Sequence, residues 1–174
     1  MKGKKKYGFT LVELMASLAI FIILTVAMVS MLTLAIKHNS INKQRYESDL
    51  NCKAVIEMMK HNSNRPQNKG NRNGNYYVAF DTEGELKDFV DKYVKTENAS
   101  ILQSIGSISD LNSAMETVKN STTPSKKYGI ILKSEWKNET KLYDIELWSW
   151  DIKKGRSSLI NRKLLLRPSS DPRT

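Results

Sequence analysis

Apolar residues are concentrated near the start of the chain. From Phe9 to Ile36 almost every residue is apolar, and Glu13 is the only charged one. Because about 20 apolar residues cross the hydrocarbon core of a bilayer as a helix, this run predicts a transmembrane helix over residues 9–36. A carboxylate within such a span is energetically costly, so Glu13 requires a compensating partner.

The same helix is predicted to continue beyond the apolar run. No proline or glycine occurs between Phe9 and Asn64, so nothing local interrupts a helix. Residues 37–62 form its amphipathic half, whose apolar face should cover a sheet. Two polar residues, Arg45 and Ser48, interrupt that face, and the opposite side is solvated. The apolar face consists of Ile41, Cys52, Val55, Ile56 and Met59, and the solvated side of Asp49, Lys53 and Glu57.

Residues 63–167 are predicted to form a globular α+β head that begins with a loop. Residues 62–75 are rich in asparagine and glycine, which favours a loop ahead of a short strand from Tyr76 to Phe80. We call the long helix over residues 9–62 the stem helix. Residues 82–120 then indicate a helical insertion between the stem helix and the sheet. A capping box of Thr82 and Glu85 opens its first helix, and a second helix follows Ser109. Their inward residues are Leu86, Phe89, Val90, Tyr93 and Val94, and then Leu111, Ala114, Met115 and Val118.

The last third of the chain alternates between apolar and polar residues, as strands do. Residues 128–167 predict a three-stranded antiparallel meander with turns near residues 137–140 and 153–155, packed on the stem helix. Trp148 and Trp150 fall on the face opposite Tyr143, Ile145 and Leu147, and the insertion is expected to cover them. Residues 168–174 are expected to be loose. The predicted fold class is α+β, a long N-terminal helix on a C-terminal antiparallel sheet.

Composition narrows the choice of partners only slightly. The 174 residues carry a net charge of +10, but without residues 1–8 the balance is 24 basic against 18 acidic residues, a net +6. Such a charge favours anionic partners weakly. Arg65, Lys69 and Arg72 in the loop are candidate contacts for an anionic polymer such as nucleic acid. The single cysteine excludes an intramolecular disulfide.

Catalytic chemistry finds little support in the sequence. The two histidines, His38 and His61, are 23 residues apart, about 35 Å along a helix, so they cannot share a site within one subunit. Asp81, Glu83 and Glu85 resemble the opening of a calcium loop, but Leu86 stands where that loop needs glycine. We therefore expect no enzyme activity, no cofactor and no metal site.

Three interpretations compete for the N-terminal segment. A secretory signal peptide has an apolar core of about 7–15 residues, and this core is about twice as long. An ordinary membrane anchor fits the length but leaves Glu13 unexplained. The third interpretation rests on Lys6-Tyr7-Gly8-Phe9-Thr10-Leu11-Val12-Glu13-Leu14, which closely resembles the class III signal of type IV prepilins and pseudopilins, with a basic leader ending in glycine and then Phe-Thr-Leu-x-Glu. The resemblance covers about residues 4–30.

The resemblance implies a maturation pathway and a role for each residue of the signal. A prepilin peptidase would cut between Gly8 and Phe9, remove the leader 1–8 and methylate the new amine of Phe9. Glu13 would then set the register of assembly by neutralising that amine in the same or a neighbouring subunit. The membrane helix would present Leu11, Val12, Leu14, Ile20, Phe21 and Ile22.

The implied partners are other pilin subunits, the peptidase, the pilus assembly machinery and the membrane. The basic head, Lys2 with Lys4, Lys5 and Lys6, favours a cytoplasmic N-terminus, so we expect a single-pass protein of the cytoplasmic membrane that becomes part of a surface filament. The absence of a disulfide pair, the helical insertion and the charged C-terminus favour a minor pilin or pseudopilin. The alternatives are a competence-type pseudopilin or DNA-binding tip subunit, and an anchored surface protein that never polymerises.

Overall fold

The chain forms two compact units, an N-terminal unit Met1–Ser40 and a C-terminal unit Ile41–Thr174. The computed structural model describes residues 10–61, 72–95, 102–106, 108, 110–121 and 126–167. The leader and the C-terminal tail lie outside these residues. So do Gly8, Phe9, Arg65 and Lys69.

One helix, α1, runs from Leu11 to Lys60 and confirms the prediction of an uninterrupted stem. Within the N-terminal unit its hydroxyl side chains are satisfied by the helix itself. Ser17, Thr25, Ser30 and Thr33 each donate to the carbonyl four residues earlier, at 2.7–2.9 Å. This back-bonding leaves no hydroxyl donor of these residues without an acceptor, as an apolar environment requires.

The C-terminal unit is built on one five-stranded antiparallel sheet, which confirms the α+β fold class. The strand order is β2-β1-β3-β4-β5. A 3-10 helix, Gly155–Ser158, precedes the last strand. The remaining elements are β1 Gly74–Phe80, α2 Glu83–Lys95, β2 Ser104–Ile105, α3 Leu111–Asn120, β3 Tyr128–Lys137, β4 Leu142–Asp151 and β5 Ile160–Leu166.

The expected location of the insertion is wrong. Strand β1 pairs with β3 along its whole length, from Gly74 opposite Ser134 to Phe80 opposite Tyr128. The insertion therefore lies between two neighbouring strands of the sheet rather than between the stem and the sheet. It is also not wholly helical, because β2 within it pairs with β1. Strand pairing depends on contacts distant in sequence, which the alternation of apolar residues does not specify.

The second half of α1 packs on one face of the sheet as predicted. Cys52, Val55 and Met59 are fully buried, together with Ser48, against apolar side chains of β3 and β4. Asp49 departs from the prediction of a solvated side. Its carboxylate pairs with Arg162 of β5 at 2.7 Å and with Lys53 at 3.0 Å. Asp49 therefore ties the stem helix to the edge strand.

The opposite face of the sheet is covered by α3, as predicted. Trp150 is only 1% exposed and packs in a cluster with Ala114, Met115 and Val118. Gly129, across from Trp150 in the strand register, makes room for the indole. A Cβ at Gly129 would come within 2.5 Å of Trp150 Cζ2, so this position requires glycine.

Helix α2 buries the five apolar residues expected of it. The Oη of Tyr93 forms a buried hydrogen bond with Ser134 Oγ at 2.7 Å, which joins the helix to β3. Thr82 Oγ1 accepts from the N–H of Glu85 at 3.4 Å, and the Glu85 carboxylate accepts from the backbone N–H of Asp81 at 2.8 Å. Glu85 also pairs with Lys126, so this acidic segment stabilises the fold.

Candidate processing and assembly site

The N-terminus of α1 is closed by a reciprocal pair of hydrogen bonds between Thr10 and Glu13. The Thr10 backbone N–H and hydroxyl both donate to Glu13 Oε2, at 2.9 and 3.0 Å. In return, the Glu13 N–H donates to Thr10 Oγ1 at 3.3 Å. This is a capping box, which satisfies backbone donors that the first helical turn leaves without partners.

The capping box was not predicted from the sequence, although the Thr-x-x-Glu spacing is its signature. The box fixes the carboxylate of Glu13 at the helix N-terminus, where the helix dipole also favours negative charge. Neither residue belongs to the leader 1–8. A chain that begins at Phe9 therefore keeps both members of the box.

The surface around the capped carboxylate is exposed and largely apolar. The six side chains assigned to the membrane helix are between 53% and 76% exposed. Among the described residues, α1 is the helix that is long and apolar enough to cross a membrane. Contiguous apolar surface of this extent marks a region that lipid or protein covers. Its members are Leu11, Val12, Leu14, Ile20, Phe21 and Ile22.

Of the three candidate contacts for an anionic polymer, the structure describes only Arg72. Arg65 and Lys69 fall outside the described residues. Arg72, just before β1, is only 3% exposed, and its Nε and Nη1 have no hydrogen-bond partner within the described part of the chain. The expectation of a surface contact is therefore wrong for Arg72. An arginine can bury its stem along apolar surface, and composition does not distinguish such a residue from a solvated one.

Cys52 lies in the core under the sheet, and burial raises the pKa of its thiol to about 12. Such a thiol is almost entirely protonated near neutral pH and is a poor nucleophile. Over the described ranges, no group of three histidine, cysteine, aspartate or glutamate side chains could hold a metal ion.

The comparison with protein families agrees with the interpretation of this segment. Residues 3–29 match the model of the prokaryotic N-terminal methylation motif. Comparisons with curated proteins and with solved structures give no match. The matched residues include residues 3–8 of the leader, Phe9, the Thr10–Glu13 capping box and most of the exposed apolar surface. The chain thus carries the class III signal of type IV pilins and pseudopilins.

Proposed function

We propose that this protein is a minor pilin or pseudopilin, a structural subunit of a type IV pilus-like filament. In this proposal the prepilin peptidase removes residues 1–8 and methylates Phe9, and the mature chain polymerises through α1. The protein is then a substrate of an enzyme rather than an enzyme. Before assembly it is held in the cytoplasmic membrane with its N-terminus on the cytoplasmic side.

The observation that carries the proposal is the combination of a capped carboxylate and an uncovered apolar surface. Glu13 lies within an apolar helix segment whose side chains are exposed in the isolated chain. If the same helix of other subunits covered this surface, the apolar side chains would be buried in surroundings as apolar as the membrane. Since an unpaired buried charge is strongly destabilising, Glu13 requires a cation in that bundle. The methylated amine of Phe9 would provide it.

The alternatives are less well supported. A DNA-binding tip subunit would use the basic loop, but the buried Arg72 is removed from that surface. A surface protein that never polymerises would need an anchor but no carboxylate at this position. The non-polymerising alternative therefore leaves the Glu13 carboxylate with no function beyond capping the helix.

Replacement of the assembly carboxylate tests the proposal in the host cell. We expect Glu13→Val to leave cleavage and membrane insertion intact but to prevent incorporation into filaments, since the Phe9 amine would have no counter-charge. Glu57→Val is the matched control, because Glu57 is an exposed glutamate of the same helix outside the apolar run. Filaments sheared from the cells are separated from membranes, and the protein is quantified in both fractions.

The fractions distinguish the outcomes directly. The proposal predicts that the wild type and Glu57→Val appear in the filament fraction, and that Glu13→Val stays in the membrane. Equal incorporation of all three proteins would contradict a register role for Glu13. Absence of the wild type from the filament fraction would favour the non-polymerising anchored protein.

A further inference from the structure

Five exposed basic side chains gather at one end of the C-terminal unit. We call Lys43, Arg45, Lys153, Lys154 and Arg156 the basic collar. Two lie near the start of the stem helix within this unit, and three lie in the connection between β4 and β5. The segments are joined by a hydrogen bond of 2.9 Å, in which Arg45 Nε donates to the carbonyl of Ser157.

The connection that carries three of these charges is held by its own hydrogen bonds. Asp151 Oδ1 accepts from the backbone N–H groups of Lys153 and Lys154, at 2.9 and 3.2 Å. Ser158 Oγ accepts from the N–H of Asp151 at 3.0 Å and donates to the carbonyl of Gly155 at 2.9 Å. The nearby acid is therefore used to shape the backbone, and the lysine side chains project from an ordered turn.

The charge of the collar is not neutralised within the described residues. None of its five side chains forms an ion pair there. Besides Asp151, two further acids lie within electrostatic range. Glu47 is already bound by Tyr128 at 2.8 Å and Lys127 at 3.2 Å. The pKa of Asp110 is lowered mainly because its carboxylate accepts a hydrogen bond from the Asn112 N–H, and the charge of Arg156 contributes least to this shift. The collar thus keeps a net positive charge.

The collar also lies at the end of the C-terminal unit that follows the apolar run. Lys43 is seven residues after Ile36, about 10 Å along a helix, which is comparable to the Debye length of about 8–10 Å at physiological salt. The turn between β3 and β4 lies at the far end of the ten-residue strand β4, about 33 Å away. The collar therefore begins within a short stretch of chain of the residues that a membrane would hold.

We propose that the basic collar binds the anionic phospholipid headgroups of the membrane in which α1 is anchored. This inference rests on the membrane stage of the proposed function. Each Lys or Arg near an anionic bilayer contributes about 1 kcal/mol, so removal of one charge weakens docking about fivefold. The contact would hold the C-terminal unit against the bilayer before assembly, and extraction of a subunit into a filament would have to break it.

Lysine acetylation of the full chain in vesicles measures this docking directly. The protein is reconstituted in phosphatidylcholine vesicles with or without an equal part of phosphatidylglycerol, and the acetylation rate of each lysine is read by mass spectrometry. We expect Lys43, Lys153 and Lys154 to react on the order of tenfold more slowly in the anionic vesicles. The rates at Lys137 and Lys141, which lie at the far end of the β3–β4 hairpin, should be unchanged. High salt should abolish the protection.

A triple substitution with a matched control tests the collar as a unit. Lys153→Gln with Lys154→Gln and Arg156→Gln should remove most of the protection of Lys43. Lys133→Gln with Lys137→Gln and Lys141→Gln removes the same charge from the half of the β3–β4 hairpin farther from the collar and should leave it intact. Equal loss in both variants would show a general effect of net charge and would overturn the proposal.

Two further outcomes are separated by additional readouts. Resistance of the reconstituted chain to alkaline extraction tests membrane insertion, so failure to insert would count against the proposed function. Insertion with equal acetylation in both vesicle types would overturn the collar alone. If the collar substitutions leave acetylation in the vesicles unchanged but weaken binding of the protein to duplex DNA, the surface serves nucleic acid and the lipid assignment is wrong.

Discussion

The two halves of α1 show how one continuous helix can meet two different needs. From Leu11 to Ile36 the large apolar side chains are exposed on every side, whereas between Ile41 and Lys60 one face buries Cys52, Val55 and Met59. The second half finds its partner in the sheet of the same chain. The first half has no such partner among the described residues, so another molecule must cover it.

Because the two halves of α1 have different partners, we expect different side chains to control the stability of the C-terminal unit and the assembly of the protein. Side chains of the C-terminal unit should determine whether that unit folds, and side chains of the apolar run should determine what the protein associates with. The three tryptophans, Trp136, Trp148 and Trp150, all lie in the C-terminal unit. Their fluorescence therefore reports on unfolding of that unit alone, even in a full chain held in detergent.

The largest expected effect comes from removing the same side chain in each region. Leu132 is fully buried under α1, and Leu24 is 58% exposed in the apolar run. We expect Leu132→Ala to lower the free energy of unfolding by about 2–5 kcal/mol, and Leu24→Ala to change it by less than about 0.5 kcal/mol. Urea titrations followed by tryptophan fluorescence check both values. A comparable loss for Leu24→Ala would mean that the two regions are not independent.

A smaller effect is expected from filling the space beneath Trp150. The methyl group of Gly129→Ala would lie 2.5 Å from Trp150 Cζ2, so the indole must move, at a cost of about 1–3 kcal/mol. Gly106→Ala is the matched control, because its methyl group would meet no atom within 4 Å. The same titrations compare the two variants. An unchanged midpoint for Gly129→Ala would show that the packing of α3 on the sheet adapts freely.

The smallest expected effect is a pH dependence of the contact between α1 and β3. The hydrogen bond from Tyr128, and to a lesser extent Lys127, lowers the pKa of Glu47. A lowered pKa means that Glu47 stabilises the folded state above the unfolded value of about 4.3. This contribution is lost as the pH falls through the folded-state pKa.

Glu47→Gln should therefore lose about 1 kcal/mol at neutral pH and show a shallower decline in stability on acidification. Glu57→Gln provides the control, since Glu57 is an exposed residue whose ion pair with Lys60 contributes little. Thermal unfolding from neutral to acidic pH measures both curves. Parallel curves for the wild type and Glu47→Gln would exclude this contact as a source of acid sensitivity.

Local patterns were sufficient to predict much of this fold. The apolar spacing of α1 predicted its buried face at Cys52, Val55 and Met59. The alternation of residues along β4 predicted that Trp150 and Ile145 lie on opposite faces of the sheet. The class III signal was readable because its residues are contiguous. In each case the information lies within a few turns of helix or a single strand.

The features that sequence did not predict depend on contacts across long separations. The pairing of β1 with β3, the link between Asp49 and Arg162 and the burial of Arg72 all depend on how distant segments meet. The capping box at Thr10 was local and could have been predicted from its spacing. The basic collar could not, because Arg45 and Ser157 are 112 residues apart.

The most direct test of the account is the mass of the mature N-terminus. The protein is purified from its host, digested, and its N-terminal peptide is sequenced by mass spectrometry. The account predicts a chain that begins at Phe9 with a methylated amine and retains Glu13. A protein that keeps residues 1–8, or that is cleaved elsewhere, would contradict the assignment of a class III signal.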